Sequence, residues 1–265
     1  MRKLTLGLLC VAVASAILSG CGGCGGSGGS GSQSLLPSEP SVPITRGRLI
    51  QHGDEYEYVI TGTAFYQNAR WQVTGSQVER LRSVGAGVYQ WIVETQLVLR
   101  RGSLTQTFNE DIVWYITQDR ETRQVSVIGY GDTPDSPRRD AELPYQPILP
   151  GVIHQNSNFS TTITFEDESQ YTVSWQIGGW EDVSTYAGSV GCYRIREEGS
   201  WSRPLPFTEA TVAATAWFSP QLMNYARIET RESGWIGANP VEYTLTYLLR
   251  RTNVPLRPQT GAQAR

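Results

Sequence analysis

The sequence predicts an all-β protein of about eleven to thirteen antiparallel strands. The apolar residues Tyr171, Val173, Trp175 and Ile177 alternate with polar ones, and ranges 89–100, 108–117, 159–165 and 241–249 repeat the pattern. Successive side chains of a strand point to opposite faces, so each run has an apolar face and a wet face. No window has a convincing helical period, and the best candidate, around 77–83, is short.

Turn residues separate the alternating runs. A polar stretch at 166–170 predicts a hairpin loop between two strands. Tight connections are predicted at Gly53–Asp54, Gly85–Gly87, Arg101–Gly102, Gly178–Gly179 and Gly188–Gly191.

A proline-rich stretch at 131–150 predicts a long connection, because proline is excluded from central strands. It divides the domain predicted at 44–252 into two meanders, at about 45–130 and 151–252. These form either the two sheets of a sandwich or one curved sheet resembling a half-barrel. About 200 residues suit a single all-β domain. Residues 253–265 are expected to form a loose tail.

The N-terminus has the pattern of an export signal over residues 1–20. Arg2 and Lys3 precede an apolar run that is too short to span a bilayer comfortably. Leu18-Ser19-Gly20-Cys21 then resembles the lipobox of bacterial lipoproteins, an aliphatic residue and two small ones before the modified cysteine. The resemblance implies cleavage before Cys21, attachment of diacylglycerol to its thiol, and further acylation such as palmitate. Two or three acyl chains give stable membrane anchoring.

Residues 21–43 form a Gly-, Ser- and Pro-rich segment typical of a flexible tether. Cys21 and Cys24 have the spacing of a redox or metal-binding pair, but acylation of Cys21 excludes that use. Cys24 could pair with Cys192 in an oxidising compartment. We expect Cys192 to be a small buried residue of a strand.

The charge of the chain bears on partners and location. The first twenty residues hold two bases and no acid, so 20 basic groups and 25 acidic ones follow them. A mildly acidic chain without a basic run argues against nucleic acid as a partner. The expected location is the cell envelope, and the outer membrane in a Gram-negative host, because no aspartate follows Cys21.

No catalytic, metal-binding or cofactor-binding constellation is visible in the sequence. His52 and His154 each stand alone beside turn residues, and we expect both in solvent-facing loops. The acidic run Glu166-Asp167-Glu168 lacks the spacing of a calcium loop and is read as a solvated hairpin tip. Phosphate-binding, dinucleotide-binding and hydrolase motifs are missing from the sequence.

Eight tryptophans and thirteen tyrosines are prominent in the composition. Most fall on the apolar phase of a strand and are expected in the core. Trp180, Trp201 and Trp235 lie beside Gly179, Ser200 and Gly234, and so are expected at turns. There they would either face a ligand at the mouth of the sheet or plug the end of the core.

A segment at 192–229 resembles a hairpin found in a broad group of bacterial secreted proteins and lipoproteins. Its marks are Cys192 in one strand, then Trp217-Phe218-Ser219-Pro220, a short gap, and Tyr225-Ala226-Arg227-Ile228-Glu229. The glycines that follow the proline in that group are missing here. The resemblance implies a curved antiparallel sheet around an apolar interior, and implies no reaction.

Three functional hypotheses follow. The first is a non-enzymatic, membrane-anchored envelope lipoprotein whose β-rich domain binds a partner such as an envelope protein, or has a structural role. The second is a half-barrel carrier with a groove for lipid or another apolar ligand. The third, an enzyme, has no cluster of acid, base and nucleophile to support it.

Overall fold

The computed structural model describes residues 45–204, 207–236 and 239–256. Every regular element in this part of the chain is a strand. None of the described segments is a helix long and apolar enough to cross a membrane. The strands are Thr45–Arg46 (β1), Glu55–Tyr66 (β2), Ala69–Gly85 (β3), Val88–Arg101 (β4), Leu104–Gln118 (β5), Val125–Gly131 (β6), Arg139–Asp140 (β7), Pro147–Leu149 (β8), Val152–Ile153 (β9), Asn158–Thr164 (β10), Gln170–Thr185 (β11), Gly188–Pro204 (β12), Phe207–Ser219 (β13), Asn224–Ile236 (β14) and Asn239–Thr252 (β15).

Thirteen of these strands form one open antiparallel sheet, as the alternation predicts. Its order is β10-β11-β12-β13-β14-β15-β2-β3-β4-β5-β6-β7, with β8 also paired to β6. The last strand, β15, pairs with β2 from Val241 opposite Tyr66 to Thr252 opposite Tyr56. This pairing joins the two meanders into a continuous curved sheet and excludes a sandwich of two separate sheets.

Most of the predicted turns are confirmed. Gly85–Gly87, Gly102 and 166–170 lie at the hairpins β3–β4, β4–β5 and β10–β11. The turn predicted at Gly178–Gly179 is wrong, because these glycines form a bulge inside β11. The weak helical candidate at 77–83 lies within β3, where tertiary pairing overrides a short local pattern. The proline-rich connection contains the two short strands β7 and β8.

An aromatic cluster packs the inner face of the sheet. Trp114 lies 5.4 Å from Tyr171 between ring centroids, and Tyr130 lies 4.9 Å from Trp201 and 4.7 Å from Phe165. These rings come from β5 and β6 on one side, and from β11, β12 and the residue just after β10 on the other. The inner faces of the two meanders therefore share one core.

Polar contacts also cross the interior. Asn224 Nδ2 donates to Glu79 at 2.6 Å, and Trp91 Nε1 donates to the same carboxyl group at 3.0 Å. Tyr58 donates its hydroxyl to the carbonyl of Tyr225 at 2.9 Å. Burial raises the pKa of Glu79, and the hydrogen bonds it accepts oppose that shift. These bonds tie β2 and β3 to the start of β14.

The two ends of the sheet meet at one point. Ala141 forms a single antiparallel bridge with Phe165, at the end of β10. Beside it the Tyr130 hydroxyl donates to Asp167 at 2.6 Å and accepts from Arg203 at 3.1 Å. Glu166 and Glu168 are exposed at this hairpin tip, as expected, whereas the carboxylate of Asp167 is part of this network.

Two tryptophans that the sequence does not distinguish are expected to respond differently to truncation. Trp201→Ala should lower the free energy of unfolding by about 3–5 kcal/mol, since it removes a buried ring from the aromatic cluster. Trp235→Ala should cost less than about 1 kcal/mol, since that side chain is 39% exposed. Urea unfolding followed by far-ultraviolet circular dichroism measures both. Equal losses would contradict this account of the core.

Candidate functional site

The three tryptophans predicted at turns all lie inside strands. Trp180 follows the bulge of β11 and packs edge-on against Tyr193, at 4.9 Å between ring centroids. Trp201 is buried in the aromatic cluster, and Trp235 is partly exposed on β14. Placing them at turns is wrong because the neighbouring glycines lie within strands. The three side chains do not form a common site.

The remaining predicted residues are also dispersed. Cys21, the predicted acylation site, lies outside the described residues, as does Cys24. Cys192 is buried in β12, as predicted for a small core residue, and forms no disulfide within the described residues; burial raises the pKa of its thiol. His52 Nδ1 accepts the backbone N–H of Ser83 at 3.2 Å. Within the described residues, no three His, Cys, Asp or Glu side chains form a group that could hold a metal ion.

A broad groove crosses the outer face of the C-terminal meander. It consists of two adjoining depressions of about 980 and 520 Å³, lined by residues of β10 to β15 and of the chain just before β10. Glu198, Ala213, Arg231 and Thr244 line both depressions. We call this feature the outer groove.

The register of the strands explains why the groove forms there. Glu198, Ala213, Arg231 and Thr244 stand opposite one another across β12, β13, β14 and β15. Ala213 is exposed and has the smallest side chain of the row, so it leaves a depression between two long charged neighbours. Gly199 lies in the adjacent position along β12 and also lines the groove.

The groove carries both signs of charge. Its basic residues are Arg194, Arg196 and Arg231, and its exposed acidic residues are Glu198, Glu229 and Glu242. Among the described residues, Arg231 has no ion-pair partner, and the separation of Arg196 from Glu198 is a long 3.8 Å. These groups are therefore available to hydrogen-bond a polar partner. Exposed ion pairs of this kind add little to stability.

Arg194, which lines the groove, belongs to a stacked arrangement around Trp217. The guanidinium groups of Arg194 and Arg227 lie 5.9 and 4.9 Å from its ring centroid. Its indole N–H donates to Glu181 at 2.6 Å. The two arginines cover the ring, which explains how a tryptophan on the outer face is nearly buried. Trp217 therefore supports Arg194 beside the groove, and its ring face is not open to a ligand.

Two buried carboxyl groups lie on the inner side of the same strands. Tyr225 donates its hydroxyl to Glu197 at 2.9 Å, and Tyr247 donates to Glu232 at 3.4 Å. Burial raises the pKa of both carboxyl groups to about 8. The charge of Glu232 also raises the pKa of Glu197. Both are therefore largely protonated in the folded protein at neutral pH.

Known proteins offer little guidance on this site. No protein-family model matches the sequence, and no curated protein matches it. A solved protein of Bacteroides fragilis, described as exported and as having a YmcC-like fold, is 9% identical over 78% of this chain and 99% of its own, with a TM-score of 0.37. A protein of Parabacteroides distasonis described as a lipoprotein is 13% identical over 77% and 96%, with a TM-score of 0.34.

The hypothetical lipoprotein YmcC of Escherichia coli is 12% identical over 75% of this chain and 89% of its own, with a TM-score of 0.26. All three scores are below 0.5, so these similarities carry no argument about the fold or the function of the present chain.

The buried carboxyl groups predict a pH dependence of stability. Their pKa is higher in the folded chain than the value of about 4.3 expected when unfolded, so the folded protein binds more protons between these values. The stability they contribute is complete below about pH 4 and is lost as pH rises towards about 8. The variant Glu197→Gln/Glu232→Gln should lose less stability than the wild type between pH 5 and pH 8. Urea midpoints at these two pH values test this, and identical slopes would contradict it.

Proposed function

We propose that the protein is a lipid-anchored envelope protein whose β-rich domain binds a polar partner in the outer groove without catalysing a reaction. The observation that carries the proposal is the groove itself, a depression of about 980 Å³ lined by residues of β10 to β15. Its interspersed arginines and glutamates suit a partner that presents both signs of charge. An extended segment of another envelope protein has that chemistry.

The contrast between the two faces of the sheet supports a polar partner over an apolar ligand. The inner face packs into one hydrophobic cluster that includes residues of both meanders. Most residues that line the outer groove, by contrast, are polar or charged, and three of them are arginines. A carrier of lipid needs a mostly apolar cavity. The charged residues of the groove therefore favour a polar partner, and with it the binding hypothesis over the carrier hypothesis.

The surroundings of the histidines support a role without catalysis. Nδ1 of His52 is used by a backbone N–H, and the carbonyl of His154 accepts from Ser157 at 2.7 Å. Among the described residues, neither imidazole has a carboxylate within hydrogen-bonding distance. A general base needs a partner that orients it and a substrate within reach.

Removal of the anchoring thiol tests the lipid attachment. Cys21→Ser should abolish incorporation of radiolabelled palmitate in the native host, because it removes the nucleophile that accepts the diacylglycerol. Cys24→Ser is the matched control, since it changes a cysteine three residues away and should keep full labelling. Labelling and membrane fractionation of both variants give the answer. Equal labelling of the wild type and Cys21→Ser would refute the anchor.

A photo-crosslinking residue tests the groove. With p-benzoylphenylalanine in place of Ala213, irradiated cells should yield an adduct between this chain and an envelope component, because that position is at the centre of the groove. Thr74 is the matched control, as an exposed position of β3 on the outer face that does not line the groove.

A charge reversal in the groove provides a second test in the same cross-linking experiment. Arg231→Glu should reduce the adduct from position 213 by about tenfold, which corresponds to the loss of one charge-assisted hydrogen bond. Identical adducts from positions 213 and 74, or no effect of Arg231→Glu, would count against binding in the groove.

A further inference from the structure

Half of strand β5 has a neighbour on only one side. β5 spans Leu104–Gln118, and β4 pairs with it along almost its whole length. β6 begins to pair only at Val113. Among the described residues, no strand lies beside 104–112 on the side opposite β4. We call this segment the free β5 edge.

The register shows which backbone groups are exposed on this edge. The two-residue turn between Arg101 and Leu104 makes them a hydrogen-bonded pair, and such pairs alternate along an antiparallel ladder. The even-numbered residues of β5 therefore bond to β4. The N–H and C=O groups of Thr105, Thr107, Asn109 and Asp111 point away from the sheet.

The free β5 edge has few of the features that protect natural edges from pairing. It contains no proline and no lysine, and its pairing with β4 has no bulge. On its inner face Phe108 and Ile112 are only partly buried against the core. Leu104, at the end of the strand, is 57% exposed. An added strand would cover these side chains.

The opposite edge of the sheet is different. β10 is linked at its end to the residues that follow β7. Glu142 donates its backbone N–H to Thr164, and Glu166 donates to Asp140. The rest of β10, Asn158–Ile163, pairs with β11 alone among the described residues, but it is shorter than the free β5 edge.

We propose that the free β5 edge pairs antiparallel with the same edge of a second copy of this chain, forming a two-fold symmetric dimer. With Phe108 at the symmetry axis, every outward-pointing residue finds a partner. On the outer face, Thr105 faces the partner subunit's Asp111, and Thr107 faces the partner subunit's Asn109. On the inner face, Leu104 faces the partner subunit's Ile112, Gln106 faces the partner subunit's Glu110, and Phe108 faces the partner subunit's Phe108.

The charges select this register. The edge carries two acids, Glu110 and Asp111, and in the proposed pairing each stands opposite a neutral residue. A register displaced along the strand until Glu110 faces the partner subunit's Glu110 would set like charges opposite each other, which destabilises a cross-strand pair. The proposed register also brings two phenylalanines together across a non-hydrogen-bonded position, where side chains approach closely.

A proline substitution on the edge tests the dimer without breaking the fold. Thr107→Pro removes an N–H that points outward, so the ladder with β4 keeps its bonds. Because the dimer is two-fold symmetric, Thr107→Pro removes two hydrogen bonds between the copies. In the full chain purified in detergent, the dissociation constant of the dimer should rise by more than about tenfold, measured by analytical ultracentrifugation. Thr107→Ala keeps the N–H and should leave the dimer intact.

Paired charges test the register. Thr107→Lys/Asn109→Glu places opposite charges across the interface and should retain the dimer. Thr107→Lys/Asn109→Lys places like charges there and should leave only monomer. Urea midpoints of all four variants identify any that do not fold. A wild-type chain that stays monomeric at all accessible concentrations, or a Thr107→Pro variant that dimerises like Thr107→Ala, overturns the proposal. These results do not depend on the outer groove, which lies on other strands.

Discussion

The pairing of the last strand, β15, with β2, the earliest strand of the large sheet, organises the whole structure. β15 lies against β2 over nearly its full length, so two meanders that are separated in sequence become neighbours in one sheet. The sheet then curves until Trp114 of β5 meets Tyr171 of β11 and Trp201 of β12. Without this pairing, each meander would expose an apolar face, and neither could bury its aromatic residues alone.

The fold class could be predicted from the sequence because it depends on local alternation. Val241 to Leu249 shows which residues face inward, and the structure buries the same phase of β15. The partner of β15 could not be predicted, because a pairing across almost 200 residues leaves no local mark. Trp201 was misplaced for a related reason: Gly199 and Ser200 suggest a turn, but pairing on both sides of β12 keeps them extended.

The outer groove was beyond prediction for a similar reason. It forms where a small residue of β13, Ala213, stands between Glu198 and Arg231, and this row exists only once the registers of three strands are set. The buried carboxyl groups, in contrast, can be recognised in the sequence. Glu197 follows Tyr193 and Ile195 on the apolar phase of β12, so the alternation itself assigns it to the core. An acid in that phase indicates a buried, protonated group.

The two halves of the sheet use their outer faces differently. On the N-terminal half, Val113, Tyr115 and Ile128 form a small apolar cluster outside the main core. The segment after β6 covers it, with the guanidinium group of Arg138 lying 5.4 Å from the ring centroid of Tyr115. The outer face of the C-terminal half is polar and needs no such cover, so the groove stays open to solvent.

The chain folds back after Gly131, and this also prevents β6 from continuing along β5. The early end of β6 thus accounts both for the covered outer face of the N-terminal half and for the free β5 edge.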